Sequence, residues 1–263
     1  YGVSDDLTIV RGGHQYGLGG AVSLSDWKTE SNVRSMGPIS FNGSATGLPL
    51  GDFLLGRVFE FRESTPFRQN ITQPYFALYG QDTWRASSHF TVNYGARWEP
   101  WFPQNSEDKA FYSFDIERIR SNTRSTAYPQ APLGLFYPGD PGFPSQAGML
   151  TDWNNLGPRV GVAWDIAGNG QTVARASYGK SYEFVNAQFH LNTSVAPPWG
   201  SEVRLNNTPG GLDDPFLGSG QTNIFPVTFD QNAPFSRNGP FLSLSNDMVS
   251  TNVHLWNVTL ERQ

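Results

Sequence analysis

The sequence predicts an all-β protein, on three observations: apolar and polar residues alternate with period 2, tight Gly/Asn turns separate the alternating segments, and the composition disfavours long helices. Aromatic residues make up 14% of the 263-residue chain and charged residues only 16%, whereas soluble domains are about a quarter charged. Aromatic side chains therefore stand where a soluble surface would carry charge. Glycine (28) and proline (19) are both abundant, and both break helices while suiting turns.

The alternation is clearest in HFTVNYGARWEP (89–100). Phe90, Val92, Tyr94, Ala96 and Trp98 share one parity, and Thr91, Asn93, Gly95, Arg97 and Glu99 the other, which predicts a strand with one apolar, aromatic face and one polar face. From Phe90 to Trp98 such a strand rises about 26 Å, or about 19 Å along a membrane normal at a tilt near 45°, comparable with a lipid hydrocarbon band capped by aromatics. Segment 159–166 repeats the pattern: Val160, Val162, Trp164 and Ile166 oppose Arg159, Gly161, Ala163 and Asp165. The Ala-Gly-Asn-Gly stretch at 167–170 predicts a tight hairpin turn, because Gly and Asn accept positive φ. A returning strand over 171–184 would put Ala174, Ala176, Tyr178 and Tyr182 on one side and Arg175, Ser177 and Glu183 on the other. A second hairpin joins Tyr75–Trp84 to His89 across 85–88. Residues 6–27 are expected as one Gly-rich strand and 253–262 as the last, about six strands in all.

The connections alternate in length. Those at 85–88 and 167–170 are short, while 102–156 and 185–250 are long and rich in Pro, Gly, Asn and Ser. Long loops without periodicity are unusual in compact soluble domains, whereas bacterial barrels place short turns on the periplasmic side and long loops outside. No apolar run reaches the roughly 18 to 20 residues of a membrane helix, and mean hydropathy is −0.42. Barrel strands leave little trace in such averages, because they alternate lipid-facing and lumen-facing residues.

The net charge of −5 argues against a broad phosphate-reading surface, so no nucleic acid partner is expected. All basic residues but Lys28, Lys109 and Lys180 are Arg, whose fixed fork of donors suits paired sites in walls and lumens. The absence of cysteine removes disulfides, thiolate catalysis and Cys-ligated metals. His14, His89, His190 and His254 form no ligand-spaced pair, no G-x-S-x-G elbow or phosphate loop occurs, and GLGG at 17–20 reads as a strand irregularity. Asp5 with Asp6 and Asp213 with Asp214 read as solvated carboxylates. No catalytic residue, metal or cofactor is expected, and the chain reads as something other than an enzyme.

Two groups carry the functional expectation. Arg97, Glu99, Arg159, Asp165, Arg175 and Glu183 share the polar parity of neighbouring strands; ion pairs lining a barrel wall or touching a plug are favoured over direct solute binding. Trp84, Trp98, Trp101, Trp164, Tyr178 and Tyr182 lie near strand ends, which favours a membrane-interface girdle over sugar stacking in a soluble secreted carbohydrate-binding β-sandwich. That sandwich is the main alternative, and a glycosidase on a β scaffold a weaker one.

Five stretches, YFALYGQDTW (75–84), NYGARWEPWFP (93–103), NNLGPRVGVAWD (154–165), GNGQTVARASYGKSYE (168–183) and LWNVTLERQ (255–263), resemble TonB-dependent outer-membrane receptors, with the Oar-like subgroup, which carries an N-terminal carboxypeptidase-regulatory-like domain, the closest. FNGSATGLPLGDFLLG (41–56) matches that subgroup's first long extracellular segment, and the resemblance implies a short helix around 50–55. It also implies that residues 1–263 are part of an antiparallel transmembrane β-barrel of about 22 strands, without the plug, the TonB-contacting segment, the regulatory-like domain or the terminal aromatic residue. The implied function is uptake of an unidentified solute through a gated barrel in the outer membrane of a Gram-negative-type cell. The implied partners are outer-membrane lipid, the TonB complex through the missing N-terminal part, and the solute. Because the sequence starts at Tyr1 with no initiator Met or signal peptide, the native N-terminus is expected elsewhere.

Overall fold

The computed structural model describes residues 1–263 except 33, 145–147, 185–192, 194–195, 236–240 and 244. In chain order its elements are β1 (Gly2–Arg11), β2 (His14–Ser31), β3 (Ile39–Ser40), α1 (Pro49–Leu54), β4 (Glu60–Glu63), β5 (Phe67–Arg85), β6 (Phe90–Trp98) and β7 (Asn105–Ser106). They continue with β8 (Ser113–Phe114), α2 (Ile116–Arg120), β9 (Leu135–Phe136), β10 (Leu156–Asp165), β11 (Thr172–Tyr182), β12 (Val203–Asn206) and β13 (Asn252–Arg262). The fold is all-β and mostly antiparallel. Helix α1 falls where the resemblance implies one.

The main sheet is an antiparallel meander in the order β1-β2-β5-β6-β10-β11-β13, with β7 added on β5. Strand-to-strand links at Gly12–Gly13, 86–89 and 166–171 are tight and lie at one end. The links 32–66, 99–155 and 183–251 are long and lie at the other. Among the described residues β1 and β13 do not pair with each other, so the sheet does not close into a barrel.

The single strand expected over 6–27 is corrected: it is a hairpin. Gly12 sits at φ +58°, the left-handed region that glycine enters without a Cβ penalty, and the chain reverses there so that Arg11 pairs with His14 and Gly2 with Ser23. The expected count of about six strands accordingly becomes seven in the meander. Turn 166–171 uses the same device at Gly168 and Gly170, and the Asp165 carboxylate ties it down by accepting the Gly168 and Gly170 N–H groups at 3.0 and 2.8 Å.

β2 and β5 are paired over their whole length, from His14 with Trp84 to Ser31 with Phe67. At about 3.3 Å per residue this ribbon is roughly 60 Å long, whereas a tilted strand crosses a bilayer in about 9 to 11 residues. Its far half projects into the long connections, where β7 pairs with Ile71 and Thr72 and where Ile71 and Gln73 are buried. Gln73 bridges there, donating to the Phe102 carbonyl at 3.1 Å and accepting from Gln104 at 3.0 Å.

The long connections fold together into a cap. β4 pairs with β12 and β3, joining 32–66 to 183–251, and β8 pairs with β9. Val58, Phe61, Val203 and Leu205 form one core with Phe41, Phe216 and Phe225 packed on it. Tyr112, Ala131, Leu135, Tyr137 and Ala196 form a second, with Tyr128, Trp199 and Phe235 around them. The Tyr112 hydroxyl donates to the Leu242 carbonyl at 2.8 Å, and Arg34 pairs with Glu202. The long loops, expected to be hardly periodic, thus hold most of the buried apolar side chains; the part of 185–250 at 185–192, 194–195, 236–240 and 244 lies outside the described residues.

Candidate functional site

The sheet register decides which side chains share a face. One cross-strand row runs Ile9, Tyr16, Asp82, Tyr94, Val160, Tyr178, Trp256. Its neighbours on the same face include Leu7, Leu18, Val22, Leu78, Trp84, Trp164, Val258 and Leu260, all exposed. A contiguous apolar face of this extent far exceeds the patch of a few hundred Å² that soluble monomers tolerate. Among the described residues no second sheet covers it, as a β-sandwich would require.

The row itself holds one carboxylate, Asp82, whose side chain is 4% exposed. Its Oδ2 accepts from His14 Nδ1 at 2.6 Å and from the Tyr94 hydroxyl at 2.9 Å. His14 in turn stacks between Tyr16 and Trp84, with ring centroids 5.4 and 5.5 Å away. The aromatic collar screens a charge that lipid would otherwise meet bare.

The opposite face carries the polar residues. Arg97 pairs with Glu99, just past the end of its strand, and donates to the Tyr75 hydroxyl at 2.8 Å, which donates to Glu99 at 2.6 Å. Arg175 pairs across strands with Glu261. Arg159 donates to Gln81 Oε1 at 2.5 Å and lies over the Tyr79 ring, 5.9 Å from its centroid. Tyr79 donates to Asp6 at 2.6 Å. It lies flat on the wall because Gly19 is beneath it: a Cβ there would meet Tyr79 at 2.4 Å and Asp6 at 2.2 Å.

Of the six polar residues expected to act together, Arg97 and Glu99 form one cluster with Tyr75, and Glu99 and Glu183 line a shared cavity of about 360 Å³ beneath the cap. Arg159 and Arg175 stand apart on the same face. Asp165 is taken up by its turn. Glu261, Tyr75, Tyr79 and Gln81, which complete these contacts, were missed; strand parity alone could have placed Tyr75, Tyr79 and Gln81 on one face, but only the register sets them beside Arg97 and Arg159.

Of the six aromatics, Trp84 and Trp164 lie near the tight turns, where Trp164 is paired with Phe90. Trp98 lies at the loop end, 5.7 Å from Phe76 and 6.2 Å from Trp153. Tyr182 is near that end too and donates to the Asn154 carbonyl at 3.3 Å. Tyr178 sits midway along the strand, its hydroxyl 2.8 Å from His254 Nδ1. Trp101 is corrected: it is 3% exposed and bridges to Asp152 under the cap, so it faces no lipid interface. Its position just after β6 mimicked a girdle residue, but the chain has already left the membrane-spanning strand there.

Among the described residues no group of three or more His, Cys, Asp or Glu side chains is placed to hold a metal; His190 lies outside them. No described helix is long and apolar enough to cross a membrane. A family model described as an outer membrane beta barrel domain matches residues 1–263. No curated protein and no solved structure matches the chain.

Proposed function

The chain belongs to the outer-membrane β-barrel family over its whole length and is an outer-membrane protein, and from that premise we propose that it forms part of the wall and the outer cap of a TonB-dependent, non-enzymatic receptor that takes up a solute through a gated barrel. The observation that carries this reading is the asymmetry of the meander: tight turns at one end, and at the other long connections folded into a cap with cavities beneath it. A simple anchor has no need of so large an outer structure, whereas capture of a scarce solute from outside does. The sequence resemblance to Oar-like receptors supports the same reading. Closure requires further strands beyond the seven of this sheet, in keeping with a larger barrel.

Deleting the gene should abolish growth on one member of a panel of iron chelates, cobalamin, oligosaccharides and peptides. Deleting TonB should reproduce that loss. Uptake that survives removal of TonB and collapse of the proton-motive force would overturn the reading. Produced alone, residues 1–263 should aggregate unless detergent covers the apolar face and the unpaired edges of β1 and β13. A monodisperse, detergent-free monomer in size-exclusion chromatography with light scattering would favour the soluble sandwich instead.

A further inference from the structure

The polar face holds a second cavity, of about 560 Å³, midway along the strands and away from the Glu99–Glu183 cluster. Across its floor runs the row Thr83, Asn93, Gly161, Ser177, Asn257. The Thr83 hydroxyl donates to Asn93 Oδ1 at 2.8 Å, and the Thr259 hydroxyl donates to Asn257 Oδ1, also at 2.8 Å. Both asparagines therefore have their acceptor engaged and their amide N–H groups left to donate. Gly161, between Asn93 and Ser177, leaves a gap in the row, and adjacent strands about 4.8 Å apart put those two donors roughly 10 Å from each other across it.

Arg159, two residues along from Gly161, supplies charge. Arg97 and Arg175 on this face are neutralised by Glu99 and Glu261; Arg159 is held by an amide and an aromatic ring instead. The bond to Gln81 uses one N–H of its guanidinium and leaves others for a ligand. The Asp6 carboxylate beyond Tyr79 is engaged by the phenol. We propose that the Arg159 guanidinium, the Asn93 amide and the Ser177 hydroxyl form a binding site for the oxyanion, carboxylate or phosphate, of a small solute, seated over the Gly161 gap, with the Asn257 amide one strand further out to meet the rest of the solute. Donors presented together with an un-neutralised guanidinium favour an oxyanion over a neutral or cationic group. This inference rests on the uptake reading only in calling the ligand a transported solute.

The test is calorimetric titration of the full-length protein in detergent micelles with glucuronate and with inorganic phosphate, with glucose as the neutral control. Glucuronate or phosphate should bind, glucose at least about tenfold more weakly, and added salt should weaken the anion. Arg159→Gln should cost about ten- to a hundredfold in affinity, the loss of a charge-assisted hydrogen bond. Gly161→Leu should close the gap and abolish binding; a Cβ at Gly161 meets nothing closer than 3.7 Å, so the variant is expected to fold, as a heat-modifiable gel shift would verify. Glucose binding equal to glucuronate, or Arg159→Gln binding like the parent, would overturn the inference. The two readings separate cleanly: anion binding without TonB-dependent uptake upholds the site and defeats the uptake reading, while uptake by a protein that binds neither anion does the reverse.

Discussion

Every residue of β1 is exposed, and β13 is exposed along nearly all its length; in the cap, Phe111 and Tyr137 are fully buried. The sheet and the cap are parts of one chain with similar aromatic content, yet the apolar cores form in the cap and where β5 runs into it, with Ile71 against Phe111. The difference lies in the solvent each meets. The cap faces water, so its apolar side chains gain by packing on one another. The sheet has lipid on one face and a polar lumen on the other, so its apolar side chains need no partner from the protein. There the backbone hydrogen bonds between strands hold the structure, because lipid supplies no alternative partner for them. The same phenylalanine is thus a core residue at 111 and a lipid contact at 90.

This comparison breaks if the cap is not held by its core. Phe111→Ala should cost about 3–5 kcal/mol, seen as faster proteolysis and amide exchange in 99–155, while the barrel keeps its heat-modifiable gel shift. Loss of the barrel as well would mean that the two regions fold as one unit.

Next in size is a test of the sheet. Val162→Arg should impair membrane assembly by about 2–4 kcal/mol, the cost of a midplane Arg on the lipid face, and Thr91→Arg on the polar face should assemble nearly as the parent does. Equal tolerance in an outer-membrane folding assay would show that the faces are reversed.

Acid should separate the regions more gently. Burial works to raise the Asp140 pKa, but hydrogen bonds from Ser125, Thr126, Ala127 and Tyr137 outweigh it and hold the carboxyl below its ordinary value. Asp52, in the first turn of α1, is also held down: burial again opposes, and the Thr46 hydroxyl and the backbone N–H groups of Ala45 and Thr46 prevail. A depressed carboxyl stabilises the fold above its unfolded pKa, and that contribution is lost as pH falls through the folded value. The cap should therefore loosen below about pH 4, and Asp140→Asn should remove part of that dependence. Tryptophan fluorescence of Trp199, in the cap, followed against pH, checks this; a flat profile down to pH 2 would contradict it.

The smallest expected effect concerns α2. Asp115 caps it by accepting the Glu117 N–H at 2.8 Å, and Asp115→Ala should cost about 1 kcal/mol, confined to faster exchange over 116–120 with assembly unchanged.

The strands around 90–98, 156–165, 172–182 and 252–262 were legible in the sequence because a period-2 pattern is a local property that a lipid boundary enforces residue by residue. The reversal at Gly12–Gly13 was not, since both flanks alternate and further glycines follow at 17, 19 and 20, so the pair does not stand out as the place where one strand stops. The cap was invisible for a different reason. Its cores join Tyr112 to Ala196 and Phe61 to Leu205, contacts between residues far apart in the chain that no short window contains.

By itself, then, the sequence determined the faces: which side chains of a strand share one side follows from parity alone. Only the tertiary structure decided the neighbours, because register and loop packing join distant residues. It gave Arg97 to Glu99 and Tyr75, and Arg175 to Glu261. It buried Trp101 beneath the cap and left Arg159 beside an amide and a ring, with its charge turned toward the cavity.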